Sequence, residues 1–408
     1  MIFSGRAFVY HGKGDVRLED REVLCGPTDL VVKVLMCARC GTDKTIFLKG
    51  HRNVDPYAPV VLGHELVGEV VAVGDKVPGL TKGIGCSEGK RLSDGYLNFH
   101  VGERLTFQSR IARYRKGLML IPDPIANLSF QIDGGYAQYM QVPAELIQSE
   151  SVLRVPDNVS DEAACLVEPA ACALESIFAT PHPTGANSEG RHQYRAGILP
   201  GGLTCIIGSG TLSLIYAALA HLEGAREIHL MVRSQEKAAL ARKILGPWIR
   251  PYVAPQAHEE TAAGRLAAEK KIVEEMKDIT GGYLFDDVIA ACADPNAQRL
   301  MLQLYTPEGY AVGACFGGTH EKVDGADIDL HHYRCAKTVG TSGCSTDAMK
   351  TVLRWLETGK LALDGFVDER RWSLQDSPAE FLTASSSLKP VLYPWDGHDS
   401  TSGHTDRH

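Results

Sequence analysis

The chain has 408 residues, 44% of them hydrophobic and 23% charged, with a formal net charge of -8. That length predicts two or three domains rather than one core, and the composition is that of a soluble globular protein. The acidic balance argues against a nucleic-acid partner gripped through its phosphates, which needs a basic face.

Eleven cysteines, an odd number, are scattered from Cys25 to Cys344. A secreted disulfide scaffold is shorter and denser in cysteine. The expectation is a reducing, cytoplasmic compartment with most thiols packed as small core residues. The first ten residues lack a basic stretch leading into a long apolar run, and no segment reaches the roughly 18 apolar residues of a membrane span. No membrane partner is expected.

In chain order, residues 1–150 read as strands and turns. Residues 30–36 (LVVKVLM) and 65–73 (ELVGEVVAV) are apolar and β-branched, with Gly and Pro punctuating the runs between. Residues 181–200 are polar, rich in Gly and Pro, and read as a long surface connection. From residue 203 the pattern changes. Short apolar strands at 203–207 (LTCII) and 228–232 (IHLMV) alternate with helical periodicity at 212–222 and 235–245. Further strands are expected at 286–291 and 310–314 with a helix between them. Such alternation implies βαβ units, right-handed crossovers and a doubly wound parallel sheet. Residues 395–408 are polar and read as a disordered tail.

Two constellations carry chemistry. The first is Gly63-His64-Glu65 followed by Gly68 and Gly74, with Cys40-Gly41-Thr42-Asp43 upstream and Glu168-Pro169 downstream. A catalytic zinc takes a few N, S or O ligands and keeps one position open. Cys40 offers a thiolate, His64 an imidazole, and Glu65 and Glu168 carboxylates. Any one of these alone is more often a packing residue or a surface pair. Cys37-Ala38-Arg39-Cys40 is formally C-x-x-C. No second pair follows to complete a zinc ribbon, and the segment ends a strand rather than opening a helix as a redox pair should. Cys40 is therefore preferred as a ligand and Cys37 as packing.

The second is Ile206-Ile207-Gly208-Ser209-Gly210-Thr211-Leu212-Ser213, which follows a strand and opens a helix. This is the setting of a dinucleotide loop, with the pyrophosphate at the helix N-terminus. Ser213 stands where the third glycine of G-x-G-x-x-G belongs. No acid ends the next strand to hold the ribose hydroxyls of NAD. Arg233, Ser234 and Lys237 follow it instead and suit a 2′-phosphate, so NADP(H) is favoured over NAD(H).

Gly63-His64-Glu65-x-x-Gly68 with Gly74 and Val77 resembles the zinc signature of the medium-chain dehydrogenases, and Cys40-Gly41-Thr42-Asp43 resembles their first-ligand segment. Leu166-Val167-Glu168-Pro169-Ala170-Ala171-Cys172 is similar to a segment of the polyol and sugar dehydrogenase branch. The resemblance spans nearly the whole chain. It implies a β-rich GroES-like catalytic domain, residues 1–175 and 340–408, and a Rossmann domain, residues 176–339. It implies a zinc-dependent oxidoreductase with Cys40, His64 and Glu168 near the metal and Glu65 as a direct or exchangeable ligand. Glu168 would act directly or through water, and Thr42 would relay the alcohol proton. Val312-Gly313-Ala314 and Thr341-Ser342 resemble the segments that face the nicotinamide. Residues 101–138 contain no cysteine, so the four-cysteine structural zinc of many members is not expected. The assembly implied is a homodimer or homotetramer.

For the substrate, Gly281-Gly282 with Phe285-Asp286-Asp287, and 339–343 (VGTSG) with Thr346-Asp347 and Met349, resemble the L-sorbose 1-phosphate reductase group. The resemblance implies interconversion of a ketose phosphate and a polyol phosphate. Lys44, Lys49, His51 and Arg52 are candidate phosphate partners, although a solvated loop has the same composition. Two alternatives stay open: a dehydrogenase of an unphosphorylated polyol or cyclitol, and a catalytically silent nucleotide-binding protein.

Overall fold

A computed structural model describes residues 1–77, 99–110, 113–115, 118–120, 127–255, 261–315, 322–323 and 326–397. The chain forms two compact units. The first comprises Met1–Glu168, Ser345–Glu357 and Val367–His408, the second Pro169–Cys344 and Thr358–Phe366. No helix among the described residues is long and apolar enough to cross a membrane.

The first unit is built on β-sheets. The central strand Leu30–Ala38 carries the apolar run read from the sequence. Its register explains how distant residues meet. Ala38 pairs with Glu65 on the antiparallel strand Glu65–Val73, and on its other side with Val391 of strand Lys389–Leu392. Directly opposed residues share a face and alternate residues return to it. Ala38, Glu65, Val391 and Lys389 therefore share one face, although more than 300 residues separate Glu65 from Lys389. One core of buried apolar side chains, including Phe8, Tyr10, Val32, Cys37, Leu66, Phe107, Tyr136 and Phe381, holds this unit together.

The second unit is a six-stranded parallel sheet. Its order is Ile249–Val253, Glu227–Val232, Leu203–Ile207, Asp287–Ala290, Val312–Cys315 and Lys337–Gly340. Numbered along the chain these strands run 3-2-1-4-5-6, the Rossmann order, whose reversal point lies beside the first strand. The first, second, fourth and fifth strands in chain order agree with the apolar runs at 203, 228, 286 and 310, whereas Ile249–Val253 and Lys337–Gly340 were not read from the sequence; helices Thr211–Leu222, Gln235–Leu245 and Pro295–Gln303 lie between them in the chain.

Two expectations are refined. Residues 181–200, read as a long surface connection, are largely exposed but carry an antiparallel hairpin of Pro181–Ala186 with His192–Ala196. Its root is fixed by His182, whose buried Nε2 lies 2.7 Å from Asp287 Oδ1. The tail expected to be disordered from residue 395 begins ordered. The Trp395 indole N–H donates to the Val34 carbonyl at 3.0 Å, and Lys33 Nζ lies 4.6 Å over its ring. The rest of that expectation, residues 398–408, lies outside the described residues, as does part of the cysteine-free stretch 101–138.

Candidate active site

In the first unit the chain turns from strand Leu30–Ala38 into helix Gly41–Lys49, and Cys40 is the N-cap, so the C-x-x-C segment does precede a helix, contrary to the sequence reading. The cap works as a box. The Thr42 amide donates to Cys40 Sγ at 3.5 Å, and the Cys40 amide donates to Asp43 Oδ2 at 3.1 Å. One local motif thus starts the helix and fixes both a thiol and a carboxylate.

His64 arrives from the segment before strand Glu65–Val73. Gly63 has φ +93° there, and a Cβ on it would come 2.6 Å from the Tyr136 ring and 2.8 Å from Cys37 Sγ. The left-handed backbone and the missing side chain are both needed for this close pass. Among the described residues, Cys40, His64 and Glu65 offer ligand atoms that all lie within 4.8 Å of one another. Glu168 lies outside that group but is buried nearby, accepting from Ser109 Oγ at 3.1 Å. Burial raises its pKa; the charge of His64 opposes this, and that of Glu65 adds to it.

Asp43 is fully buried. Its Oδ2 accepts from Tyr136 Oη at 2.6 Å as well as from the Cys40 amide. Its Oδ1 has no hydrogen-bond partner and faces His64 Nδ1, itself unpartnered, at 3.6 Å. That gap is an electrostatic pairing rather than a hydrogen bond. Burial alone would depress the His64 pKa, but the charges of Asp43 and Cys40 outweigh it and hold the imidazole well above its ordinary value. For Asp43 burial again opposes ionisation, and the neighbouring His64 together with the donated hydrogen bonds keeps the carboxyl low.

These residues fit a metal. A thiolate, an imidazole and a carboxylate converge, and a buried carboxylate waits behind the imidazole in the position of an outer-shell partner. Nδ1 faces Asp43, which would leave Nε2 to a metal. Cys37 is not part of the set. It is wholly buried in the core and its thiol pKa is pushed well up by burial.

Sequence reasoning missed Lys389. Its ammonium is bound to both carboxylate oxygens of Glu65, at 2.6 Å to Oε1 and closer still to Oε2. Burial lowers its pKa, but Glu65 and the other nearby anions more than reverse this. Nothing in the local sequence LKPVL marks this lysine; only the strand pairing brings it to Glu65.

In the second unit the named cofactor residues gather at the ends of adjacent strands. Ile207, Ala290, Cys315 and Gly340 stand in one row of the register. Gly208, Ser209 and Gly210 continue from the first of these, and Thr341 and Ser342 from the last. Gly210 is the N-cap of helix Thr211–Leu222 and makes no side-chain cap, as does suit an anion at the helix start. Leu212 lies in that first turn, but the Thr211 hydroxyl is committed to the Phe366 carbonyl at 3.0 Å. Ser213, in place of the third glycine, sits against Gly208: a Cβ on Gly208 would lie 2.3 Å from its Oγ. Within the strand Val312–Cys315, a Cβ on Gly313 would lie 1.8 Å from Tyr305 Oη, so packing alone demands glycine there; Val312 and Ala314 flank it, buried. Arg233 is exposed, whereas Ser234 caps helix Gln235–Leu245 by accepting from the Lys237 amide at 3.3 Å.

Comparison with known proteins agrees with both halves. Residues 26–157 match the alcohol dehydrogenase GroES-like domain, and residues 211–358 match the zinc-binding dehydrogenase domain. The chain belongs to the zinc-dependent medium-chain dehydrogenases. It is 25% identical to L-threonine 3-dehydrogenase of Pyrococcus furiosus over 85% of this chain and 84% of the relative. It is 26% identical to L-sorbose 1-phosphate reductase of Klebsiella pneumoniae over 86% of this chain and 78% of the relative. Its fold is similar to that of a zinc-binding dehydrogenase from Sinorhizobium meliloti 1021 solved with NADP bound, with a TM-score of 0.75 and 20% identity over 96% and 100% of the two chains. This medium-chain dehydrogenase is an oxidoreductase acting on CH–OH of a small molecule, with zinc and a nicotinamide cofactor. A silent nucleotide-binding role is thereby set aside.

Proposed function

We propose that this dehydrogenase interconverts a secondary alcohol and a ketone on a sugar or polyol phosphate, using NADP(H) in preference to NAD(H) and one catalytic zinc. The observation that carries the chemistry is the convergence of Cys40, His64 and Glu65 within 4.8 Å. A zinc ion supplies Lewis acidity to the substrate oxygen, and the nicotinamide exchanges the hydride.

The chain's own residues do the rest. Cys40 and His64 hold the metal, with Glu65 or Glu168 as the acidic partner. Glu65 is already paired with Lys389, which favours Glu168, or a water on it, for that place and leaves Glu65 exchangeable. Thr42, half-buried next to the cap, passes the hydroxyl proton outward. Buried Glu168, whose pKa burial raises above the usual carboxylate range, is suited to hold or release a proton. The open amides of Gly210 to Leu212 receive the pyrophosphate, and Val312, Gly313, Ala314, Thr341 and Ser342 border the nicotinamide. Exposed Arg233 meets the 2′-phosphate, helped by Ser234 and Lys237.

The phosphorylated substrate is supported by the similarity to L-sorbose 1-phosphate reductase and by exposed Lys49 and Arg52. One observation favours an unphosphorylated polyol or cyclitol instead: Lys44 Nζ is engaged with the Thr383 carbonyl at 3.3 Å. Steady-state assays following NADPH with L-sorbose and with L-sorbose 1-phosphate separate the two. A kcat/KM advantage of tenfold or more, on the order of one charge-assisted contact, is expected for the phosphate. Equal or absent activity on both would discard the sugar-phosphate reading.

A further inference from the structure

Tyr136 belongs to neither the Cys40–Asp43 nor the Gly63–Glu65 segment, yet it touches both. Its amide donates to the Leu62 carbonyl at 3.0 Å, two residues before His64. The flanking Gly134 and Gly135 amides donate to the Val61 and Gly63 carbonyls. A Cβ on Gly134 would lie 2.2 Å from the Gly63 carbonyl oxygen, so the two segments are in backbone contact. The Tyr136 ring stacks edge-on to Phe381 at 5.1 Å and closes the pocket that Gly63 leaves open. Its hydroxyl, wholly buried, spends its proton on Asp43 Oδ2 at 2.6 Å.

The consequence lies in the other oxygen of Asp43. Two donors, Tyr136 Oη and the Cys40 amide, hold Oδ2 from different parts of the chain. With Oδ2 pinned, the carboxylate plane is fixed and Oδ1 is left aimed at His64 Nδ1, 3.6 Å away. Both of those atoms are buried and lack any hydrogen-bond partner. A shift of a few tenths of an ångström turns the facing pair into a hydrogen bond. The imidazole's orientation is thus set by a carboxylate whose own orientation is set by a phenol.

We infer that Tyr136 is a positioning residue for the metal centre, acting through Asp43 on His64. This rests on the reading of Cys40 and His64 as metal ligands. Without the hydroxyl, Asp43 keeps only the Cys40 amide on Oδ2 and can rotate, and the imidazole loses its fixed partner. Partners of this outer kind typically change metal affinity by about 10–100-fold.

The test uses the full-length protein stripped of metal and titrated with Co2+, read by its thiolate charge-transfer and d–d bands, with zinc affinity taken from chelator competition. Tyr136→Phe is expected to bind both metals at least about tenfold more weakly and with altered d–d bands, while the NADPH affinity stays near that of the unaltered protein. Asp43→Asn, which keeps the Tyr136 ring in place, is expected to weaken metal binding as well, and adding Tyr136→Phe to it should cost little more. Unchanged cobalt spectra and affinity in Tyr136→Phe would overturn the inference. So would an unchanged Asp43→Asn, even if Tyr136→Phe fails to fold. If the unaltered protein shows no thiolate–cobalt band at all, the failure belongs to the metal reading itself.

Discussion

The metal side and the cofactor side of this dehydrogenase are built on opposite plans. The proposed dinucleotide loop is local: a strand, three residues and a helix start, all within Leu203–Leu222. The candidate metal side collects Cys40, His64, Asp43, Tyr136, Glu168 and Lys389 from across the first unit and buries His64, Asp43, Tyr136 and Glu168, with Cys40 and Lys389 half-buried. A backbone site needs only the right conformation. A site of buried charges needs every charge answered, because an unanswered one is costly in a low dielectric. The metal side should therefore be brittle to single substitutions and the cofactor side tolerant.

The largest effect should come from Cys40→Ser. Loss of the thiolate is expected to remove bound zinc, measured by elemental analysis, and to lower kcat/KM by about a thousandfold or more, since the metal's Lewis acidity is worth several kcal/mol. An active, metal-free variant would end the distinction between the two sides.

Next comes Lys389→Met. It leaves the Glu65 carboxylate, 2% exposed, without its cation. Urea denaturation should show a loss of about 3–5 kcal/mol. The pair Lys389→Met with Glu65→Gln should recover most of it, because no buried charge is then left alone. A single variant as stable as the parent would mean that the buried pair is not needed for the fold.

The smallest change is expected on the cofactor side. Arg233→Ala removes an exposed charge, and the ratio of kcat/KM for NADPH to that for NADH should fall on the order of fivefold, less at high salt. An unchanged ratio would leave the preference for NADP(H) without its proposed cause.

The legibility of each side follows the same division. The loop at Gly208 and Gly210 was readable because its function lies in local backbone geometry, which glycine spacing reports. Strand Glu65–Val73 was readable to the residue because its β-branched residues are closed off by Gly74-Asp75. Cys40 and His64 were recognisable as motif members. Tyr136 and Lys389 were not, because a tyrosine in a glycine-rich turn and a lysine opening a strand carry no mark of what they will face. Two further features have the same origin. The packing of Trp395 and the anchoring of the hairpin root at His182 depend on partners, Val34 and Asp287, far away in the chain.

By itself the sequence determined the two fold classes, the strand–glycine loop–helix at Gly208 and which side chains offer candidate ligand atoms. These depend on periodicity, glycine and residue type, all written locally. The tertiary structure alone decided that Glu65 is held by Lys389, that Asp43 stands behind His64, and that Tyr136 secures Asp43. Buried charges take their partners from strand register, and register brings together residues that are hundreds of positions apart.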